Sequence, residues 1–119
     1  MRSGYITHKD KQIFLADYRH LLIDEFEKEI KAVTEALCTA PQNSVACLND
    51  TSGLIASPKV IDLFKWSVSR TKPHISKAAV VGVGFSGARK ILFDAILRIT
   101  GQTVTLFDDL EKAKDWLVE

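Results

Sequence analysis

The residues whose spacing carries the most chemistry are Gly82, Gly84 and Gly87. They spell G-x-G-x-x-G in "VVGVGFSGARK", after an apolar run and ahead of an amphipathic one. Asp108, 21 residues past Gly87, ends another β-like run. A dinucleotide-binding loop uses this pattern: glycines let the backbone approach a pyrophosphate, a helix N-terminus attracts its charge, and a later acid holds the ribose. Only 11 residues follow Asp108, too few for the second mononucleotide half of such a fold. The same letters also serve as scaffolding. Gly82 would let a helix pack against a strand, Gly84 would turn the chain, and Ser86 would cap a helix with Gly87 at its first position. Asp108, with Glu111 three residues on, would cap the last helix. Scaffolding is the reading adopted. What remains of ligand chemistry is a generic anion site at Ser86, Gly87, Ala88 and Arg89, where free N–H groups and a cation would hold phosphate or sulfate.

A second candidate is the bend "NDTSG", residues 49–53. Asp50 can accept from the backbone two residues on, and Gly53 can supply a positive φ. Loops that follow parallel strands gather at one edge of a sheet. The bend, "GFSG" and "DYRH" (Asp17 to His20) are therefore expected as neighbours, with Asp50, Gly53, Arg19, His20 and Phe85 on a shared partner-binding edge. Arg19 and His20 are placed there to read a phosphate, or are simply solvated. Elsewhere the chemistry is sparse. Ser52, Ser86, Cys38 and His20 each lack a sequence-adjacent partner that would make a nucleophile–base pair. His8, His20 and His74 are scattered without metal-ligand spacing, and surface positions are expected for them. The chain reads as a non-enzyme with no metal and no cofactor.

The elements that must position these residues are legible from periodicity. "GYITH" and "QIFLAD" are short β-type runs joined by "KDK". Ile23, Phe26, Ile30, Val33 and Leu37 step by three and four, a helical stripe. Asp24, Glu25, Glu27, Lys28, Glu29 and Lys31 are assigned to its outward face. "SVACL" alternates as a strand. Ser57–Pro58 is a helix start, with an N-cap residue and proline at the first helical position, and that helix runs to about Lys72. "KAAVVGV" reads as a strand covered on both faces, followed by a helical stripe from Ala88 to Ile99. "TVTLF" and "DDLEKAKDWLV" supply the last strand and helix. The order is β-β-α-β-α-β-α-β-α. Helical crossovers join parallel strands, so strands two to five should run parallel, with the first antiparallel at one end of a small mixed sheet flanked by helices. Residues 1–119 read as one α/β domain.

Composition narrows the function class. Sixteen Lys and Arg against fifteen Asp and Glu leave a formal charge of +1, so neither nucleic acid nor an anionic membrane is an expected partner. No apolar run approaches the roughly 20 residues of a membrane span, and "MRSGYITHKD" has no signal-peptide character; a cytoplasmic location is expected. Cys38 and Cys47 read as reduced thiols. Trp66 follows Ile61, Leu63 and Phe64 on an unusually apolar helix, which reads as core or as an interface with a second copy or a partner. Trp116 reads as packed on the sheet edge.

Two segments together resemble a known family. D-x-S-G-L after a strand, here Asp50, Ser52, Gly53 and Leu54, resembles the signature of the anti-sigma-factor antagonist domain, or STAS family. "KAAVVGVG" with Arg98, Thr100, Gly101, Val104, Phe107, Asp109, Trp116 and Leu117 resembles the variant of that fold found in many small bacterial proteins. The resemblance spans nearly the whole chain from Ile13. It implies a STAS-like fold and a regulatory, non-catalytic protein-interaction module whose partner is a kinase or an anti-sigma-like protein. It also implies a phospho-acceptor at the bend, Ser52 or its neighbour Thr51. In the phosphorylated antagonists that serine sits directly at a helix N-terminus. Here Leu54 to Ala56 intervene before Ser57, which places Ser52 in a freer loop. Because relatives of the fold include lipid-binding domains, the alternative is a carrier of a small apolar or anionic ligand, a lipid or a nucleotide.

Overall fold

In a computed structural model, which describes residues 1–82, 94, 98 and 104–119, five strands form one sheet in the sequential order β1-β2-β3-β4-β5. The strands are β1 (Gly4–His8), β2 (Lys11–Asp17), β3 (Val45–Asp50), β4 (Ile75–Val81) and β5 (Val104–Phe107). β1 is antiparallel to β2, and every later pair is parallel. The β1–β2 reversal works without glycine because Lys9 and Asp10 both take positive φ, 50° and 65°, as a two-residue hairpin turn of matching twist requires.

Three helices occur among the described residues: α1 (Ile23–Cys38), α2 (Pro58–Thr71) and α3 (Leu110–Leu117). Phe26, Ile30, Val33 and Leu37 of α1 are buried together with Val60 and Phe64 of α2 against Phe14, Ala16, Val45 and Cys47. The opposite face of the sheet buries Ile13, Leu48, Ala79 and Val81 under Ala113 and Leu117 of α3. Alternation along β2 explains both layers: Phe14 and Ala16 point one way, Ile13 and Leu15 the other. α2 starts as the sequence indicates, with Ser57 Oγ accepting from Val60 N at 3.3 Å and Pro58 at the first position.

Several expectations are corrected. The cap of α3 is Asp109, which accepts from the N–H groups of Glu111 and Lys112 at 2.8 and 3.2 Å; Asp108 lies one residue too early to reach them. β3 extends through Asn49 and Asp50, because both pair in register with β2 and β4. Ile23, at the edge of the stripe, is exposed, whereas Glu29 is buried. Glu29 stands three residues past Phe26 and four before Val33, so helical geometry turns it inward. The expected helix over 88–99 lies, apart from Asp94 and Arg98, outside the described residues.

Candidate functional site

The C-terminal ends of β2 and β3 are adjacent, with Asp17 and Asp50 directly paired in register. Two parallel strands thus deliver two carboxylates to one edge. The chain leaves β2 through Tyr18, which is fully buried against Phe26 and Phe64 with ring centroids 5.0 and 5.5 Å apart. Such edge-on contacts each contribute about 0.5–1.5 kcal/mol beyond area burial, and they anchor the loop that follows. Tyr18 N donates to Asp50 O at 3.0 Å, and His20 N donates to Ser52 O at 2.9 Å. The expected meeting of "DYRH" with "NDTSG" is therefore present, stitched backbone to backbone.

The bend itself is tightly specified. Thr51 N and Oγ1 both donate to Val81 O, at 2.9 and 2.8 Å. Leu54 N closes the turn on Thr51 O at 3.0 Å, and Gly53 has φ +74°, the left-handed third position of a type II turn. Asp50 Oδ1 accepts from Ser52 N at 3.1 Å, the bond expected of it. The His20 ring lies directly on Gly53, where any Cβ would overlap it. Gly82 (φ +88°) is similarly covered: a Cβ there would sit 2.5 Å from Ser52 Oγ and 2.7 Å from its Cα. Gly82 is thus glycine to admit the Ser52 bend; the helix it was expected to pack lies, apart from Asp94 and Arg98, outside the described residues.

The two hydroxyls of the bend have different fates. Thr51 is buried, and its Oγ1 is committed to Val81, so its candidacy as a phospho-acceptor does not fit its environment. Ser52 is half-buried, and among the described residues its hydroxyl makes no hydrogen bond.

Beneath this bend lies a charge network that the sequence reading did not find. Asp17 Oδ1 accepts from Arg19 Nε and from Arg2 Nη2, both at 2.9 Å, and Oδ2 accepts from Arg19 Nη2 at 2.9 Å. The forked Arg19 guanidinium, aided by Arg2, holds the Asp17 carboxyl well below the usual carboxylate range despite burial. Arg19 Nε also lies 3.9 Å from Asp50 Oδ2. Arg2 is positioned by the buried Glu29, which accepts from Ser3 Oγ at 2.6 Å, Ser3 N at 2.9 Å and Arg2 N at 3.3 Å. Ser3 Oγ in turn accepts from Asp17 N at 2.9 Å. The helical phase of Glu29 was the available signal; the contact to Arg2 and Ser3 spans too much chain for any local pattern to show it.

Other candidates fall elsewhere. Phe85, Ser86, Gly87, Ala88 and Arg89 lie outside the described residues, as do Gly84 and the rest of the glycine loop. Of the histidines, only His20 is exposed. His8 pairs with Asp115 at 2.7 Å, and His74 Nδ1 lies 2.7 Å from Ala40 O. Both thiols are free; burial pushes Cys47 up to about 12, which keeps it protonated and inert. Among the described residues no cluster of His, Cys, Asp and Glu could hold a metal ion, and no helix is long and apolar enough to cross a membrane. Trp66 is half-buried, with the Arg70 guanidinium 5.3 Å above its ring. Trp116 packs on Phe107, at 5.6 Å between centroids. The cavity between the sheet and the α1–α2 layer, lined by Tyr18, Cys47, Phe64 and Val80 among others, holds about 40 Å³, room for a few waters and not for a lipid. Compared with known proteins, the chain matches no protein-family model, no curated protein and no solved structure.

Proposed function

We propose that this chain is a regulatory protein-interaction module of the STAS or anti-sigma-factor-antagonist kind, acting in the cytoplasm. A protein partner docks on the edge formed by Asp17–His20 and residues 50–53, and a kinase switches that docking by phosphorylating Ser52. The observation that carries this reading is the contrast between adjacent hydroxyls: Thr51 is sealed against Val81, while Ser52 Oγ makes no hydrogen bond among the described residues, on a bend fixed from both sides. A substrate for a kinase needs little more, because the kinase brings the metal, the nucleotide and the base. Phosphate on Ser52 would add about −1.5 to −2 charges beside Asp50, enough to alter which partner surface the edge accepts. Exposed apolar side chains flank the bend: Leu22 and Ile23 follow His20, and Ile55 follows Leu54. An interface core needs such residues.

The test is intact-mass analysis of the chain isolated from the cells that make it, and of pure chain incubated with ATP and extract from those cells. One added phosphate, mapped to Ser52 and absent in Ser52→Ala, is the expected result. An unmodified Ser52 in both preparations would remove the switch from the proposal.

A further inference from the structure

The network beneath Ser52 has more donors than its own carboxylates use. Each guanidinium carries five N–H donors. Arg19 gives two side-chain hydrogen bonds, both to Asp17; Arg2 gives two, one to Asp17 and one to Arg19 O. Among the described residues, three N–H groups therefore remain without a partner on each. The carboxylates lie below, with the Asp17 side chain only 9% exposed, while the guanidinium side chains are 41% (Arg2) and 50% (Arg19) exposed. The two cations share Asp17 Oδ1 and so are held side by side, each partly exposed. A planar fork of this kind binds phosphoryl oxygens bidentately.

The connection to Ser52 is short. Arg19 Nε stands 3.9 Å from Asp50 Oδ2, and Asp50 Oδ1 holds Ser52 N at 3.1 Å. His20, the residue after Arg19, is bonded to Ser52 O and stacked on Gly53. Resting on the reading of Ser52 as phospho-acceptor, we infer that Arg19, braced by Arg2 through Asp17, captures a phosphoryl group carried on Ser52. The phosphoryl group then ties the Ser52 side chain to the Asp17–His20 segment, and the guanidinium edge that an acidic partner would use is occupied. Two charges oppose capture, Asp50 beside the bend and Asp17 beneath it; three groups favour it, Arg19, Arg2 and His20 when protonated. Glu29 and Ser3 act as positioning residues, because they fix Arg2.

The experiment installs phosphoserine at position 52 by genetic-code expansion, so no kinase is needed. The 31P resonance is then followed against pH. Guanidinium contact favours the dianion, so the second phosphate ionisation should fall below the value of about 6 for free phosphoserine. Arg19→Gln should raise it by about 1, the low end for losing an opposite charge at 4–6 Å. Arg19→Lys, which keeps the charge on Asp17 without the fork, should give an intermediate value, and its amide spectrum checks that the fold persists. Asp50→Asn should move the value further down. A phosphate that titrates at or above the free value, or that ignores Arg19→Gln and Arg19→Lys alike, overturns the inference. Inorganic phosphate added to the unmodified chain should leave the Arg19 Nε–H resonance without a saturable shift. Saturation at the position seen in the phosphorylated chain would show that free phosphate suffices and would overturn the role of Ser52 as carrier. Absence of phosphate on Ser52 in cells would defeat the switch in the proposed function while leaving these measurements intact.

Discussion

At two opposite poles of the sheet, a carboxylate sits between two basic side chains. Asp17 meets Arg2 and Arg19 at 2.9 Å each; Asp115 meets His8 at 2.7 Å and Lys9 at 2.9 Å. By distance the two are equivalent. They differ in solvent and in shape. The Asp17 side chain is nearly enclosed, and one of its partners grips both oxygens; the Asp115 side chain is 48% exposed and offers a single oxygen to both partners. Water screens an exposed pair almost to nothing, whereas a sheltered, forked pair keeps its energy and its geometry. The first pole can therefore hold a charged group in a defined place. The second helps pin α3 to the β1–β2 hairpin, together with Lys11 Nζ on Val118 O, while Lys77 Nζ on Trp116 O ties the same helix to β4.

The largest expected effect probes whether the first pole depends on close backbone approach. Gly82→Ala must drive a Cβ into Ser52 and hold alanine at positive φ, which should cost about 2–4 kcal/mol. Gly4→Ala, with nothing within 4 Å of the new Cβ, is the control and should change stability by less than about 0.5 kcal/mol. Urea unfolding midpoints measure both; equal midpoints for the two variants would show that the bend has slack that its geometry denies.

Next is Asp17→Asn, expected to lower stability by about 2 kcal/mol, because both guanidiniums lose their anchor but can still reach water. The pH dependence follows from the direction in which Arg19 and Arg2 move the Asp17 carboxyl. The folded chain binds that proton less tightly than the unfolded chain does. Its stabilisation is complete above the unfolded value of about 3.9 and is lost as pH falls through the depressed folded value. The gap between parent and Asp17→Asn midpoints should therefore be constant near neutrality and shrink below about pH 4. A gap as wide at pH 2 as at pH 7 would mean that asparagine fails for shape and not for charge.

How much of this was legible beforehand depends on the range of each interaction. The α1 stripe, the Ser57–Pro58 start and the turn roles of Asp50 and Gly53 are set by residues a few positions apart, and periodicity and turn chemistry revealed them. Glu29 carries a charge that suits an outward face, but its helical phase, three past Phe26 and four before Val33, turns it inside. Asp108 and Asp109 are chemically identical, so only the actual end of β5 could decide between them. Arg2, Ser3 and the covering of Gly82 by Ser52 depend on how β1, β3 and β4 lie in the sheet, and no local pattern carries that. The anion-site residues Ser86 to Arg89 fall outside the described residues.

A smaller effect separates the hydroxyls within the first pole. Thr51→Val keeps the shape but removes the donor to Val81 O. It should cost about 1 kcal/mol, the usual net value of one hydrogen bond; Val81 O retains the Thr51 N–H, which limits the loss. Ser52→Ala removes a hydroxyl with no hydrogen-bond partner among the described residues and should stay within about 0.5 kcal/mol. Reversal of that order would mean that Ser52 is structural, and the reading of its hydroxyl as available for modification would fail with it.

The smallest effect belongs to the second pole, where the comparison is sharpest. His8 and then Lys9 lower the Asp115 carboxyl, the same direction as at Asp17, so its contribution also disappears as pH falls through the carboxylate range. But the pair is open to water, and added salt should erase it. Asp115→Asn should therefore shift the melting temperature less than Asp17→Asn does, and the shift should vanish in 1 M NaCl while that of Asp17→Asn largely persists. Burial and the forked contact are the properties that distinguish the two carboxylates, so salt is the variable that tests them most directly. If both shifts collapsed together in salt, the sheltered geometry around Asp17 would confer no special strength, and the edge would lose its claim to hold a phosphoryl group in place.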